Sequence, residues 1–155
     1  MAVTKFLSRA MKFYISTAPG VDTIAGTADD TWTQIKGLNS RSHSDSSTDA
    51  ETTGDDSDGA SEHMVAERAE SWTISGFKLL DTTTGDQDPG QEAVEELARE
   101  VGPDSIGHIK IEFPGGAAEI FPASAKLTKP GGGHNDPGNW AVTLRKSGVT
   151  TYVPA

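Results

Sequence analysis

The chain has 155 residues, no cysteine, and 23 acidic against 13 Lys and Arg side chains, for a formal net charge of −10. This is about one domain, with no disulfide, thiolate nucleophile or thiolate metal site, and without the excess of Lys and Arg that phosphate binding needs. No apolar run approaches the roughly 18–20 residues that cross a bilayer, and the N-terminal MAVTKFLSRAMKF lacks the continuous apolar stretch of a secretion signal.

Met11, Phe13 and Ile15 alternate with Lys12, Tyr14 and Ser16, which predicts a first strand. A turn-rich loop over 17–30 leads to a second strand, 31–36, opened by Trp32. Residues 39–70 then form an acidic, Ser/Thr/Gly-rich insert before the next strand, 71–80. The insert carries 9 of the 23 acids with only Arg41 and Arg68 as bases, so it holds −7 of the net −10. Between Asp45 and Glu62 its only apolar residues are Ala50 and Ala60, too few to bury a core of its own. A loop of this length in a compact domain is either functional or disordered. Its position makes it an excursion off a β-framework, suited to reaching another molecule.

In the strand over 71–80, Trp72 and Ile74 share one face and Phe77 and Leu79 the other. The phase slips at Ser75–Gly76, where a bulge or bend is expected. One helix is predicted over 89–101, with Asp88 as N-cap, Pro89 in the first turn and Gln91 completing a capping box. Val94, Leu97, Ala98 and Val101 form its apolar stripe; Glu92, Glu95, Glu96 and Arg99 are expected outside it, and Gly102–Pro103 ends it.

The last third alternates most cleanly: Ile109, Ile111 and Phe113; then Phe121, Ala123, Ala125 and Leu127; then Trp140, Val142 and Leu144; then a short piece over 150–153. Gly115–Gly116 and the Gly/Pro/Asn-rich 130–138 segment make the turns. About seven strands joined mostly by hairpins predict a single domain over 1–155. It is mainly β, an antiparallel sandwich or barrel-like fold with one peripheral α-helix. Trp32, Trp72 and Trp140 all fall in strands and are the expected packing anchors.

No catalytic or cofactor constellation emerges, and the chain is not expected to be an enzyme. The Asp55–Gly59 run departs from a calcium loop, with Gly54 where the first acid belongs and Val65 where the closing Glu belongs. His43, His63, His108 and His134 have no metal-ligand spacing. Ser42, His43 and Asp45 are chain neighbours rather than a preorganised triad. Gly131-Gly132-Gly133 lacks the Lys-Ser/Thr and helix of a phosphate loop.

Taken in order, these pieces resemble the major tail tube proteins of long-tailed, non-contractile phages. The likeness is carried by the strand Trp32–Gly37, the Ser/Thr/Asp segment with Thr52-Thr53 and Asp58-Gly59, and the strand Ser71–Gly76. It continues through the single mid-chain helix, Phe121-Pro122-Ala123, Pro130–Asp136 and Trp140–Leu144. It spans nearly the whole chain, with no diagnostic short motif. The resemblance implies a β-sandwich with an external helix, similar to the tubes of contractile tails and type VI secretion. Six copies would close a ring, and stacked rings would form a tube conducting genomic DNA from capsid to host cell. It also implies assembly in the host cytoplasm, residence in the virion tail, a tape-measure partner, and terminator and initiator proteins.

In that setting the insert becomes an arm contacting neighbouring subunits, ordered on assembly, with Arg41, Asp45, Asp49, Glu51, Asp55, Asp56, Asp58, Glu62 and Arg68 as its interface residues. Lys36, Arg41, Arg68, Lys126 or Lys129 would meet arm acids of another copy, making assembly sensitive to ionic strength. A net-negative lumen would let DNA slide without tight binding. The competing reading is a free-standing β-sandwich, a non-catalytic binding or capsid-decoration module.

Overall fold

The computed structural model describes residues 4–56, 58–128 and 131–155. In chain order the strands are β1 Lys12–Ala18, β2 Thr31–Gln34, β3 Leu38–Asp45, β4 Thr48–Glu51, β5 His63–Glu67 and β6 Glu70–Phe77. After the helix α1, Pro89–Arg99, come β7 Ile106–Glu112, β8 Ala118–Thr128, β9 Asn139–Lys146 and β10 Thr151–Val153. Every strand pairing among the described residues is antiparallel. No helix is long and apolar enough to cross a membrane among the described residues.

One sheet runs in the order β2-β1-β7-β8-β9-β6-β3, with β10 added beside β8, and β4 and β5 pair separately. The long strand β8 changes partners along its length. Residues 118–124 pair with β7 on one side, while the other side pairs with β10 over 118–120 and with β9 over 123–128. Such a strand lets a sheet fold over onto itself. The core confirms the folding: Phe13 and Ile15 of β1, Ile109 and Ile111 of β7, Ile74 of β6, and Trp140, Val142 and Leu144 of β9 form one buried cluster. The Phe13 ring meets the Trp72 ring edge-on at 5.5 Å between centroids, although β1 and β6 lie far apart in strand order. The predicted mainly antiparallel β class with one peripheral helix is therefore the observed one.

Three strands were not expected, β3, β4 and β5, and apart from Leu38 at the start of β3 all lie in the 39–70 segment that the sequence presents as an insert. Their pairing needs backbone hydrogen bonds and no apolar face, so hydrophobic periodicity cannot reveal them. The bulge expected in β6 is also displaced. β6 pairs with β9 without interruption from Ser71 to Phe77, and the extra residue is Asn39, opposite Ser75–Gly76 in β3. Gly76 is needed there because a Cβ would collide with the Gly37 carbonyl. We expect Gly76→Ala to destabilise the chain by about 1–3 kcal/mol through this overpacking, read as a lower urea midpoint.

The helix starts as predicted, with the Asp88 carboxylate accepting from the Gln91 N–H at 3.2 Å. The capping box does not form. Fully buried Gln91 instead donates to the Lys36 and Phe77 carbonyls, both at 2.9 Å, and accepts from the Leu79 N–H at 3.1 Å. It thereby ties the β2–β3 connection, the end of β6 and the helix into one corner. The helix ends at Arg99, short of Val101, which is exposed in the connection to a 3-10 turn at Gly102–Ser105.

Glu95 is a second correction: it is buried, not solvent-facing. Its Oε1 accepts from Gln87 Nε2 at 2.7 Å, Lys78 Nζ at 3.1 Å and the Trp140 indole N–H at 3.1 Å. Arg99 lies 3.7 Å from its other oxygen. Burial pushes its pKa up, but these donors and the Lys78 charge outweigh burial and hold it below the ordinary glutamate range.

Candidate assembly surface

The arm is a long hairpin. β3 pairs with β6 from Leu38↔Gly76 to Asp45↔Glu70, the Ser46 N–H reaches the Ala69 carbonyl, and β4 then pairs with β5 from Thr48↔Glu67 to Glu51↔His63. The Thr52 N–H to Glu62 carbonyl bond closes the ladder before the tip. At about 3.3 Å per residue, a strand from Leu38 to Thr53 reaches on the order of 50 Å. At the joint between β3 and β4, the Asp45 carboxylate accepts from the Ser47 N–H at 2.9 Å and from the Ser47 hydroxyl. These bonds, with the nearby Arg68 and His43 charges, lower its pKa against a smaller effect of burial. Asp58 and Gly59 turn the tip with positive φ, the backbone that Asp-Gly turns favour.

Beyond the joint most of the hairpin is solvent-exposed. Asp49, Glu51, Asp55, Asp56, Asp58 and Glu62 are exposed, as are Asp45 and Arg68, and Met64 and Val65 stand out of β5. No cation lies within ion-pair distance of those first six acids among the described residues. An isolated two-stranded ribbon is marginal in water, so this one gains by lying against another surface. Arg41 differs from the expectation of a free interface cation. It lies opposite Ile74 on the inner side of β3, half-buried, with its Nε lacking a partner, and burial lowers its pKa. Lys36 and Lys126 are exposed, whereas Lys129 lies outside the described residues.

The tryptophans divide. Trp140 is fully buried in the core; Trp72 is half-buried against it. Trp32 is half-exposed on the outer side, where Lys110 Nζ sits 5.2 Å from its ring and 4.6 Å from that of Tyr14. Trp32 is therefore no core anchor: its position in β2 turns it away from the cluster.

Strand edges are the other open feature. Among the described residues, the outer edges of β2, β3 and β10 have no strand partner, and neither has β8 beyond Ser124 on the β7 side. Free edges of this kind template pairing with another chain. Between the arm base and β10 lies a groove of about 470 Å³, lined by His43, Trp72, Phe121, Lys146 and Tyr152. Lys146 there pairs with Glu70 at 2.8 Å, and the His43 ring tilts against Trp72 at 4.9 Å. Ser42 lies in register with exposed Thr73 and His43 with Trp72, so the two project from opposite faces of β3.

One acidic cluster escaped the sequence reading. Asp22, Asp29 and Asp30 bring an oxygen each within 4.8 Å of one another in the 17–30 loop. Buried Asp30 accepts from the Gly26 N–H and Ser16 hydroxyl, both at 2.7 Å, and the Gly20 N–H at 3.2 Å. Asp29 accepts from the Val21 N–H at 2.8 Å and the Thr27 hydroxyl at 2.6 Å. These bonds make the carboxylates braces of the loop.

The fold and its surfaces define a class: a folded-over antiparallel sheet with a peripheral helix, open strand edges and an acidic hairpin arm. Chains in tail and baseplate assemblies have this fold. One in the virion of a native gene transfer agent particle matches with a TM-score of 0.66 at 13% identity, over 97% of this chain and 100% of that one. A chain in the tail of an empty gene transfer agent particle, refined helically with C6 symmetry, matches at 0.60 and 14%, over 97% and 100%. A chain in the six-fold symmetrised baseplate of an anti-feeding prophage matches at 0.52 and 10%, over 98% and 97%. No protein-family profile and no curated protein matches the sequence. The resemblance read from the sequence thus holds at the level of the fold.

Proposed function

We propose that this chain is the structural subunit of a phage tail tube. Six copies form a ring, rings stack, and the hollow tube conducts genomic DNA from capsid to host cell without binding it tightly. The observation that carries this reading is an acidic hairpin arm, solvent-exposed beyond its base, on a β-framework with open edges, in a fold that also occurs in a C6-symmetric tail. Edge pairing between copies removes the exposed strands, and docking the arm on a neighbour covers a ribbon that its own chain leaves bare. The subunit is assembled in the host cytoplasm and resides in the virion, with a tape-measure protein inside the tube and terminator and initiator proteins at its ends. The role requires no catalytic centre, cofactor or metal.

Electron microscopy of the concentrated protein tests the reading, with rings or tubes as the expected result. Deleting residues 48–67, the unit that extends past the joint at Ser47, should leave the unfolding free energy within about 0.5 kcal/mol of the intact chain, since nothing in the core is removed. Stacking of rings should be lost. Normal tubes from the deletion would refute the arm's role, and dispersed particles from the intact chain would favour a free-standing binding module.

A further inference from the structure

We infer that the outward face of the panel formed by β3, β6, β9 and the second half of β8 lines the channel and faces the phosphate backbone of the passing nucleic acid. This inference rests on the tube-subunit reading above.

The panel is unlike the rest of the surface. Strand register places its outward positions in three rows across four strands. The first is Ser44, Ser71, Arg145 and Ser124; the second is Ser42, Thr73, Thr143 and Lys126; the third is Ser40, Ser75, Ala141 and Thr128. None of these side chains is buried, while Ile74, Trp140, Val142 and Leu144 between them face the core. Apart from Ala141 and the two cations, every position is Ser or Thr. No carboxylate occurs in the rows, although the chain carries 23 acids.

Charge and texture both suit a conduit for a polyanion. Short hydroxyl side chains stay hydrated and offer no fixed ion-pair partner, so they resist sliding little. Two cations per copy attract phosphate without the dense Lys/Arg array that holds a nucleic acid tightly, and salt screens what attraction remains. The outer face of β1, β2 and β7 is a poor alternative. There Trp32 and Tyr14 stand beside Lys110, with Lys12 and Glu112 in the same region. The panel can also be continued sideways, because the free edge of β3 and the open edge of β8 beyond Ser124 lie at its two ends. The lumen is then hydroxyl-lined with sparse positive charge, in contrast to the net-negative lumen expected from the sequence, and the acids belong to the arm and the remaining surface.

The absence of native cysteine allows a direct test. T73C on β6, T143C on β9 and a control T82C in the exposed loop after β6 are labelled before and after tube formation, with a small maleimide and with a bulky polymer-linked maleimide. At T73C and T143C the bulky reagent should stop reacting on assembly while the small one continues; T82C should accept both. Two strands are probed so that a folding defect in one variant does not decide the result. Equal labelling by both reagents in tubes would place the face outside, and loss of both would mean that protein covers it; either overturns the inference while leaving the tube reading intact. If no rings or tubes form, the tube reading itself fails. The nucleic-acid assignment is tested with short duplex DNA added to T73R/T143R tubes. They should retain a nuclease-resistant, salt-sensitive fraction that wild-type tubes lack. Complete digestion of the bound DNA overturns that assignment.

Discussion

Trp140→Ala lowers the stability of the chain by about 3–5 kcal/mol, measured as a shift of the urea midpoint at unchanged slope. The residue is fully buried in the cluster that joins the two halves of the folded sheet, so truncation opens a cavity there. It also removes one of the donors to the buried Glu95 carboxylate, the indole N–H at 3.1 Å. Trp140→Phe helps separate the two effects, since it keeps most of the volume but removes the donor. Trp32→Ala should cost far less, because that ring is half-exposed and outside the cluster. Equal losses at Trp140 and Trp32 would refute this placement of the core.

Glu95→Ala should destabilise by about 3 kcal/mol, the scale seen when one partner of a buried, hydrogen-bonded charge pair is removed. Lys78, Gln87 and Trp140 would all lose their shared acceptor. The pH dependence carries the sign. Because the folded-state pKa of Glu95 is depressed, its contribution is complete above the unfolded glutamate range and disappears as pH falls through the folded value. The gap between wild type and Glu95→Gln should therefore be widest near neutrality and narrow on acidification. Asp30 behaves in the same sense. Burial raises its pKa, and hydrogen bonds from Ser16, Gly26, Thr27 and Gly20 lower it further than burial raises it. Both proteins share that loss, so the difference between them isolates Glu95. A gap that stays constant across the carboxylate range would refute the role of its charge.

The contrast between these two residues explains what was legible. Trp140 sits in the alternation Trp140, Val142, Leu144, where each apolar residue must face the core because the pleat sends its neighbours outward. Glu95 follows Val94 on a helix whose acids ordinarily face water. It is drawn inward by Lys78, Gln87 and Trp140, residues that no local pattern connects to it. Gln91 fits a capping-box pattern, yet it bonds carbonyls at Lys36 and Phe77 because the β2–β3 connection and the end of β6 happen to converge there. β3 left one faint trace, the alternation of Ser40, Ser42 and Ser44 with Arg41, His43 and Asp45. A hydroxyl period of two carries little weight without an apolar face behind it.

The sequence by itself determined the strands that bury side chains, the start of the single helix, the acidic character of the 39–70 segment and the lack of any thiol chemistry. Each follows from local periodicity or composition, which needs no knowledge of what packs against what. Tertiary structure alone decided that the acidic segment is a paired hairpin, that β8 divides its length between partners, and that the hydroxyl positions of four strands fall into one acid-free face. Those features depend on register between segments distant in the chain, and register is fixed by which backbone edges meet once the core has closed.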